Sequence, residues 1–167
     1  EGQQVDYSDG RAMLGSPERA GGGRVTLHEA LAGTWVEVAE LASPNPTSDN
    51  DRFGWAVAID GDRAVVGAPF AGTPQGFQGQ GAAYVFERDT ATGSWSFVQE
   101  LQRSGTQSWN DRFGFSVDMD RDLLTVGAFG DGTSAANAGA VYVFRHDGTA
   151  YVEEQKLTAS TVQTAIR

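Results

Sequence analysis

Phe53-Gly54-Trp55-Ala56-Val57-Ala58-Ile59, entered through Asp51-Arg52 and closed by Asp60-Gly61-Asp62, is the stretch on which the fold turns. Large apolar residues alternate with small ones, a period of two that belongs to a β-strand and not to a helix of period 3.6. Its opening returns as Asp111-Arg112-Phe113-Gly114, an offset of 60 residues. Gly67-Ala68-Pro69-Phe70 returns at the same offset as Gly127-Ala128-Phe129-Gly130. Farther out, Gly81-Ala82-Ala83-Tyr84-Val85-Phe86 matches Gly139-Ala140-Val141-Tyr142-Val143-Phe144 at offset 58, and Gln99-Glu100-Leu101 matches Gln155-Lys156-Leu157 at offset 56. The slippage falls in two loops, where a change of length costs little.

A third copy lies at the front. Val5 to Pro17 aligns without gaps to Val57 to Pro69, Gly22 to His28 aligns with Gly81 to Glu87, and Leu41 with Leu101. An aromatic residue precedes that leucine by six positions in every copy: Trp35, Trp95 and Tyr151. The chain is therefore read as one array of three units, about 1–50, 51–110 and 111–160, with a tail at 161–167. Each unit carries four short strands. In the second these are Phe53–Ile59, Ala64–Gly67, Ala82–Glu87 and Trp95–Leu101, with a long Gly/Gln/Pro-rich loop from Pro69 to about Gln80.

Sequential strands at this spacing form an antiparallel meander, and a lone sheet of that size must stack on its neighbours to bury both faces. The expected fold is all-β, a β-propeller-type array of four-stranded antiparallel blades. A parallel β-helix is the rival, but its rungs are shorter and its strands do not form hairpins. Glycine makes up 22 of 167 residues, well above the usual share of about 7%. Gly54 and Gly114 are expected where blades crowd each other, and Gly15, Gly67 and Gly127 where the second strand ends in a sharp exit.

Composition bounds the function. Twelve Lys and Arg stand against 22 Asp and Glu, a formal net charge of −10 that disfavours nucleic acid and anionic membrane surfaces as partners. There is no cysteine, which excludes disulfides, thiol catalysis and Cys-type zinc sites. No apolar run approaches the roughly 18 residues of a membrane span, so no membrane insertion is expected.

Phe-Gly followed by Gly-Ala-Pro resembles the FG-GAP repeat, the blade of the integrin alpha-subunit propeller and of many bacterial surface proteins. The signature is carried by Phe53, Gly54, Gly67, Pro69 and Tyr84 in the second copy and by Phe113, Gly114, Gly127 and Tyr142 in the third, where Gly-Ala-Phe replaces Gly-Ala-Pro. Many members hold calcium between the first two strands in a run like Asp-x-Asn-x-Asp-Gly-x-x-Asp. The corresponding loops here, Tyr7–Arg11, Ile59–Arg63 and Met119–Leu123, are too short and hold one or two acids beside an arginine. Calcium takes 6–8 oxygens, so no cofactor is expected: the family's calcium motif is absent and the copies resemble its calcium-free bacterial variant.

Catalysis finds little footing. His28 and His146 fall at or just beyond the ends of third strands and read as solvated turn-flanking residues, and Ser16 lacks a nucleophile elbow. Glu37, Glu40, Glu100, Glu153 and Glu154 lie on outermost strands, where charge blocks edge-to-edge aggregation. In an up-down meander the second-to-third loops and the inter-blade loops share one face. That face carries Phe70, Gln75, Phe77, Gln78, Trp109 and Asn110, candidates for contact with a protein or glycan, although Phe70 or Trp109 could equally staple neighbouring blades. Three blades are fewer than the usual four to eight, so further blades are expected in cis or from another subunit, with a homo-oligomer as one route to closure. The expected function is a non-enzymatic, secreted or cell-surface adhesion module, or a unit of a surface assembly. The alternative is a piece of a propeller-fold hydrolase or lyase whose catalytic residues lie outside this segment.

Overall fold

The computed structural model describes residues 4–72, 79–132 and 138–158. These form three four-stranded antiparallel sheets, and no helix occurs among the described residues. The first sheet holds β1 (Gln4–Ser8), β2 (Arg11–Ser16), β3 (Arg24–Leu31) and β4 (Thr34–Leu41). The second holds β5 (Ala56–Asp60), β6 (Arg63–Ala68), β7 (Ala82–Arg88) and β8 (Trp95–Glu100). The third holds β9 (Phe113–Asp120), β10 (Leu123–Ala128), β11 (Ala140–His146) and β12 (Tyr151–Thr158). Strands follow one another in chain order across each sheet, the blade arrangement of propeller-type folds. In all three sheets the pairing of the third and fourth strands shifts at the same place, after Leu27, Val85 and Val143. A bulge there increases the twist of the outermost strand.

The second sheet is covered on both faces, which explains why β5, β6 and β7 lack the polar alternation of a half-exposed strand. On one face Val57, Ile59, Val66, Tyr84 and Phe86 pack with Met13, Val25 and Leu27 of the first sheet. On the other, Ala58, Val65, Ala83 and Val85 pack with Phe113, Leu124, Val126, Tyr142 and Phe144 of the third. Phe53 and Phe113 are buried in the two seams, and each ring meets the tyrosine of its own sheet, Tyr84 at 5.9 Å and Tyr142 at 5.4 Å.

The second copy's first strand begins later than its alternation implies, at Ala56 rather than Phe53. Arg52 (φ 61°) and Gly54 (φ 89°) both take left-handed backbone and bend the chain around Phe53, as Arg112 (φ 59°) and Gly114 (φ 85°) do around Phe113, where β9 nonetheless begins. Phe53 instead makes an isolated parallel bridge to Gly23, as Phe113 does to Gly81. This bridge corrects the alignment of the first copy, because Gly23, not Gly22, stands at the position of Gly81. Strand pairing agrees: Gly15 faces Val25 as Gly67 faces Ala83 and Gly127 faces Val141. Within the run Gly21-Gly22-Gly23 only the tertiary contact selects the residue.

The glycine pairs set the spacing of the sheets. A Cβ on Gly15 would lie 2.0 Å from the carbonyl oxygen of Gly54, and one on Gly67 would lie 2.0 Å from that of Gly114. Backbone touches backbone, and neither side can swing aside. Gly67→Ala is therefore expected to destabilise the fold by about 1–3 kcal/mol or more, the range of overpacking. Gly148→Ala, at a left-handed position with no atom within 4 Å of the added carbon, is the control for backbone strain alone. Chemical denaturation of both variants checks the difference.

Candidate interaction surface

The long connections meet on one face. The peptide N–H groups of Phe70 and Gly130 donate to the carbonyl oxygens of Asp51 and Asp111, and that of Asn110 donates to Gly79. Each inter-sheet loop is pinned by the aspartate that opens the repeat. Asp51 is fully buried and accepts from the backbone N–H and hydroxyl groups of both Thr47 and Ser48. Asp111, also buried, accepts from the Ser108 N–H at 2.7 Å and from the Arg103 guanidinium at 2.8 Å. The sequence shows Asp-Arg-Phe-Gly returning at a constant offset but assigns the aspartate no role. Its recurrence just after a Ser/Thr-containing loop was the available signal.

The candidate residues separate on this face. Phe70 is a staple: its ring meets Trp55 at 5.7 Å, and the Arg112 guanidinium lies 4.1 Å above its centroid. From Trp55 the aromatic contacts continue to Phe115 at 5.5 Å and on to Phe129 at 4.6 Å. Trp109 is different. It is 75% exposed, on a loop fixed on either side by the Asn110 and Asp111 backbone and by the Arg103–Asp111 pair. Asn110 takes left-handed backbone (φ 86°), and its side-chain oxygen accepts from Arg112. Gln75, Phe77 and Gln78 lie outside the described residues.

Beneath the third sheet's loops sits a buried polar cluster. The Tyr142 hydroxyl donates to Asp131 at 2.6 Å and accepts from Arg103, while Lys156 donates to both Asp131 oxygens. Burial, reinforced by the bond to Asp131, raises the Tyr142 pKa above its ordinary value. Burial pulls the Lys156 ammonium the other way, but the bonds to Asp131 and Tyr142 outweigh it and hold its pKa up. The second sheet has Ala71 and Glu100 in place of Asp131 and Lys156, and the first has Arg19 and Glu40, an exposed pair at 2.7 Å, so only the third sheet holds the buried form of the cluster.

Two stretches of the chain, residues 35–86 and 95–144, match the FG-GAP repeat family. The chain belongs to the FG-GAP repeat family. Each matched FG-GAP stretch starts on a fourth strand, at Trp35 or Trp95, and ends on the third strand of the next sheet, at Phe86 or Phe144. The repeat thus straddles the sheet boundary and includes the seam that Phe53 or Phe113 fills. FG-GAP repeats build propeller-type domains that commonly serve protein interaction. A search of curated proteins gave no match.

The opposite face of the FG-GAP sheets carries short turns and a repeated ionic lock. Arg11 pairs with Glu29 of its own sheet at 3.0 Å and with Asp62 of the next at 3.4 Å. Arg63 pairs in the same way with Glu87 at 3.1 Å and Asp122 at 3.2 Å. The turn acids therefore sit on arginines across the seams. Among the described residues no three His, Asp or Glu side chains are grouped to hold a metal ion. His28 lies inside β3 rather than at its end, because that strand runs on to the tight turn at Ala32-Gly33. It stands 3.9 Å from Glu37, whereas His146 ends β11 and accepts from the Gly148 N–H.

Asp111→Ala removes the nearer of two buried carboxylates from Arg103, leaving Asp131 at 3.9 Å, so the loss should fall below the roughly 3–5 kcal/mol of a fully broken buried pair. Thermal or chemical unfolding should show a loss of about 1–3 kcal/mol. Burial and the nearby Glu100 charge push the Tyr84 phenol up to about 12. Its folded pKa exceeds the unfolded value of about 10, so its contribution is complete below pH 10 and lost as pH rises toward 12. Unfolding free energies measured across that window should fall less steeply in Tyr84→Phe than in the wild type.

Proposed function

We propose that the chain is a non-enzymatic, secreted or cell-surface interaction module that binds a partner protein through its long-loop face. Trp109 carries this reading. Its indole is three-quarters exposed, the greatest exposure among the exposed large apolar side chains of the described residues. Its loop is held by a buried ion pair and backbone hydrogen bonds rather than left to collapse onto the sheet. Rigid presentation of an aromatic side chain lowers the ordering cost of association, and tryptophan is enriched among residues that dominate binding energy. The acidic net charge favours a partner surface with basic character.

The test is a binding screen of the chain against arrayed secreted proteins, with a glycan array in parallel. A protein ligand should emerge whose affinity drops roughly thirtyfold in Trp109→Ala, equivalent to about 2 kcal/mol. Far-UV circular dichroism should not change. A ligand found only among glycans, or a protein ligand indifferent to Trp109, counts against the reading.

A further inference from the structure

The third sheet keeps a seam that nothing among the described residues fills. Its outward face holds a groove of about 400 Å³ lined by Phe115, Gly127, Phe129, Gly139, Val141 and Leu157, among others. In register, Gly127 stands where Gly15 and Gly67 stand, and Gly139 where Gly23 and Gly81 stand. In the two internal seams those positions must be glycine. A Cβ would come within about 2.0–2.1 Å of a backbone oxygen of the entering segment, Phe53-Gly54 in one and Phe113-Gly114 in the other. At Gly127 the closest atom is only the Ser116 hydroxyl at 2.2 Å, a group free to rotate, and at Gly139 it is the Phe129 carbonyl oxygen at 3.3 Å. Gly139 also has a left-handed backbone (φ 74°) to justify it, but Gly127 is retained where the isolated chain has little need of it.

Polar groups match as well. Asp6 on the first sheet accepts the Ile59 N–H of the next sheet at 2.8 Å, and Asp60 on the second accepts the Arg121 N–H. The repeat places Asp118 and Asp120 at these two acceptor positions on the third sheet, and both are exposed. The strand face that would meet such a seam is also open. On the first sheet Val5 and Tyr7, at the positions of Val57 and Ile59, are 66% and 60% exposed.

We infer that the outward face of the third sheet receives the first sheet of a second copy of this chain, head to tail. The ionic lock singles out this occupant. Each internal seam joins an arginine (Arg11 or Arg63) to an aspartate of the following sheet (Asp62 or Asp122). On the third sheet the arginine position is Leu123, and on the first sheet the aspartate position is Gly10. Both partners of the lock are missing together, so seating the first sheet on the third leaves neither lock position with an unmatched partner. A sheet of the second or third type would bring an aspartate against Leu123. Head-to-tail contact between two copies gives six blades, within the usual four to eight, and closes when each copy fills the other's groove.

Light scattering of the purified chain should give twice its 17.7 kDa mass. Gly127→Arg and Tyr7→Glu should each lower the dimer's association constant at least a hundredfold with an unchanged far-UV spectrum. If Gly127→Arg does not fold, Asp118→Lys at an exposed position replaces it. Mixed together, the two variants should recover one intact seam and form a heterodimer, which a symmetric face-to-face contact would not. A wild-type monomer overturns the inference, as does a dimer insensitive to both substitutions. So does a chain that dimerises only after residues 159–167 are deleted, which would assign the groove to that segment. None of these outcomes bears on Trp109, so the binding reading stands or falls separately.

Discussion

Contact of backbone with backbone at the glycine pairs is the constraint on which this structure depends. Gly15 lies against Gly54, and Gly67 against Gly114, at distances that leave no space for a methyl group. That approach fixes how near adjacent sheets stand and therefore which side chains reach across. With the sheets this close, Phe53 and Phe113 enter the seams as wedges and are fully enclosed. The hydrophobic contribution of each seam follows from that enclosure, because apolar area removed from water scales the gain. A methyl group at one glycine would separate backbones along the entire seam and loosen every contact in it.

The ends of the strands then divide the labour between the two faces. On the short-turn face, arginines pair with acids of their own sheet and the following one, so charge sets register and the order of neighbours. On the long-loop face, the aspartate opening each repeat gathers the backbone donors of its loop. This removes conformational freedom from segments that would otherwise be mobile, and it allows an indole to be held in water on a firm base. The aromatic series from Phe70 through Trp55 and Phe115 to Phe129 links the two later sheets along the same side.

Much of the architecture was legible because repetition multiplies weak signals. Alternation in one strand is ambiguous, but the same alternation returning with Phe-Gly and Gly-Ala at constant offset is not. The candidate site was less legible. Phe70 and Trp109 are both aromatic loop residues beside small or polar neighbours, and nothing in their local sequence separates them. Arg112 settles over the ring of Phe70 through a contact 42 residues away in the chain, and Trp109 receives no such cover. The pattern puts His28 at a strand end, but hairpin length depends on where the turn closes, and Ala32-Gly33 closes it late.

Strand type, the number of units, family membership and the need for glycine at particular positions were determined by the sequence alone, since each is a local or periodic property. The register of the first copy within Gly21-Gly22-Gly23, the start of β5 at Ala56 and the roles of Asp51 and Asp111 were decided by tertiary structure. So was the division of the loop aromatics into a staple and an exposed group. All of these depend on atoms brought together from distant parts of the chain. Local sequence cannot encode which of several equivalent glycines will meet a particular carbonyl; the closing of the seam selects it.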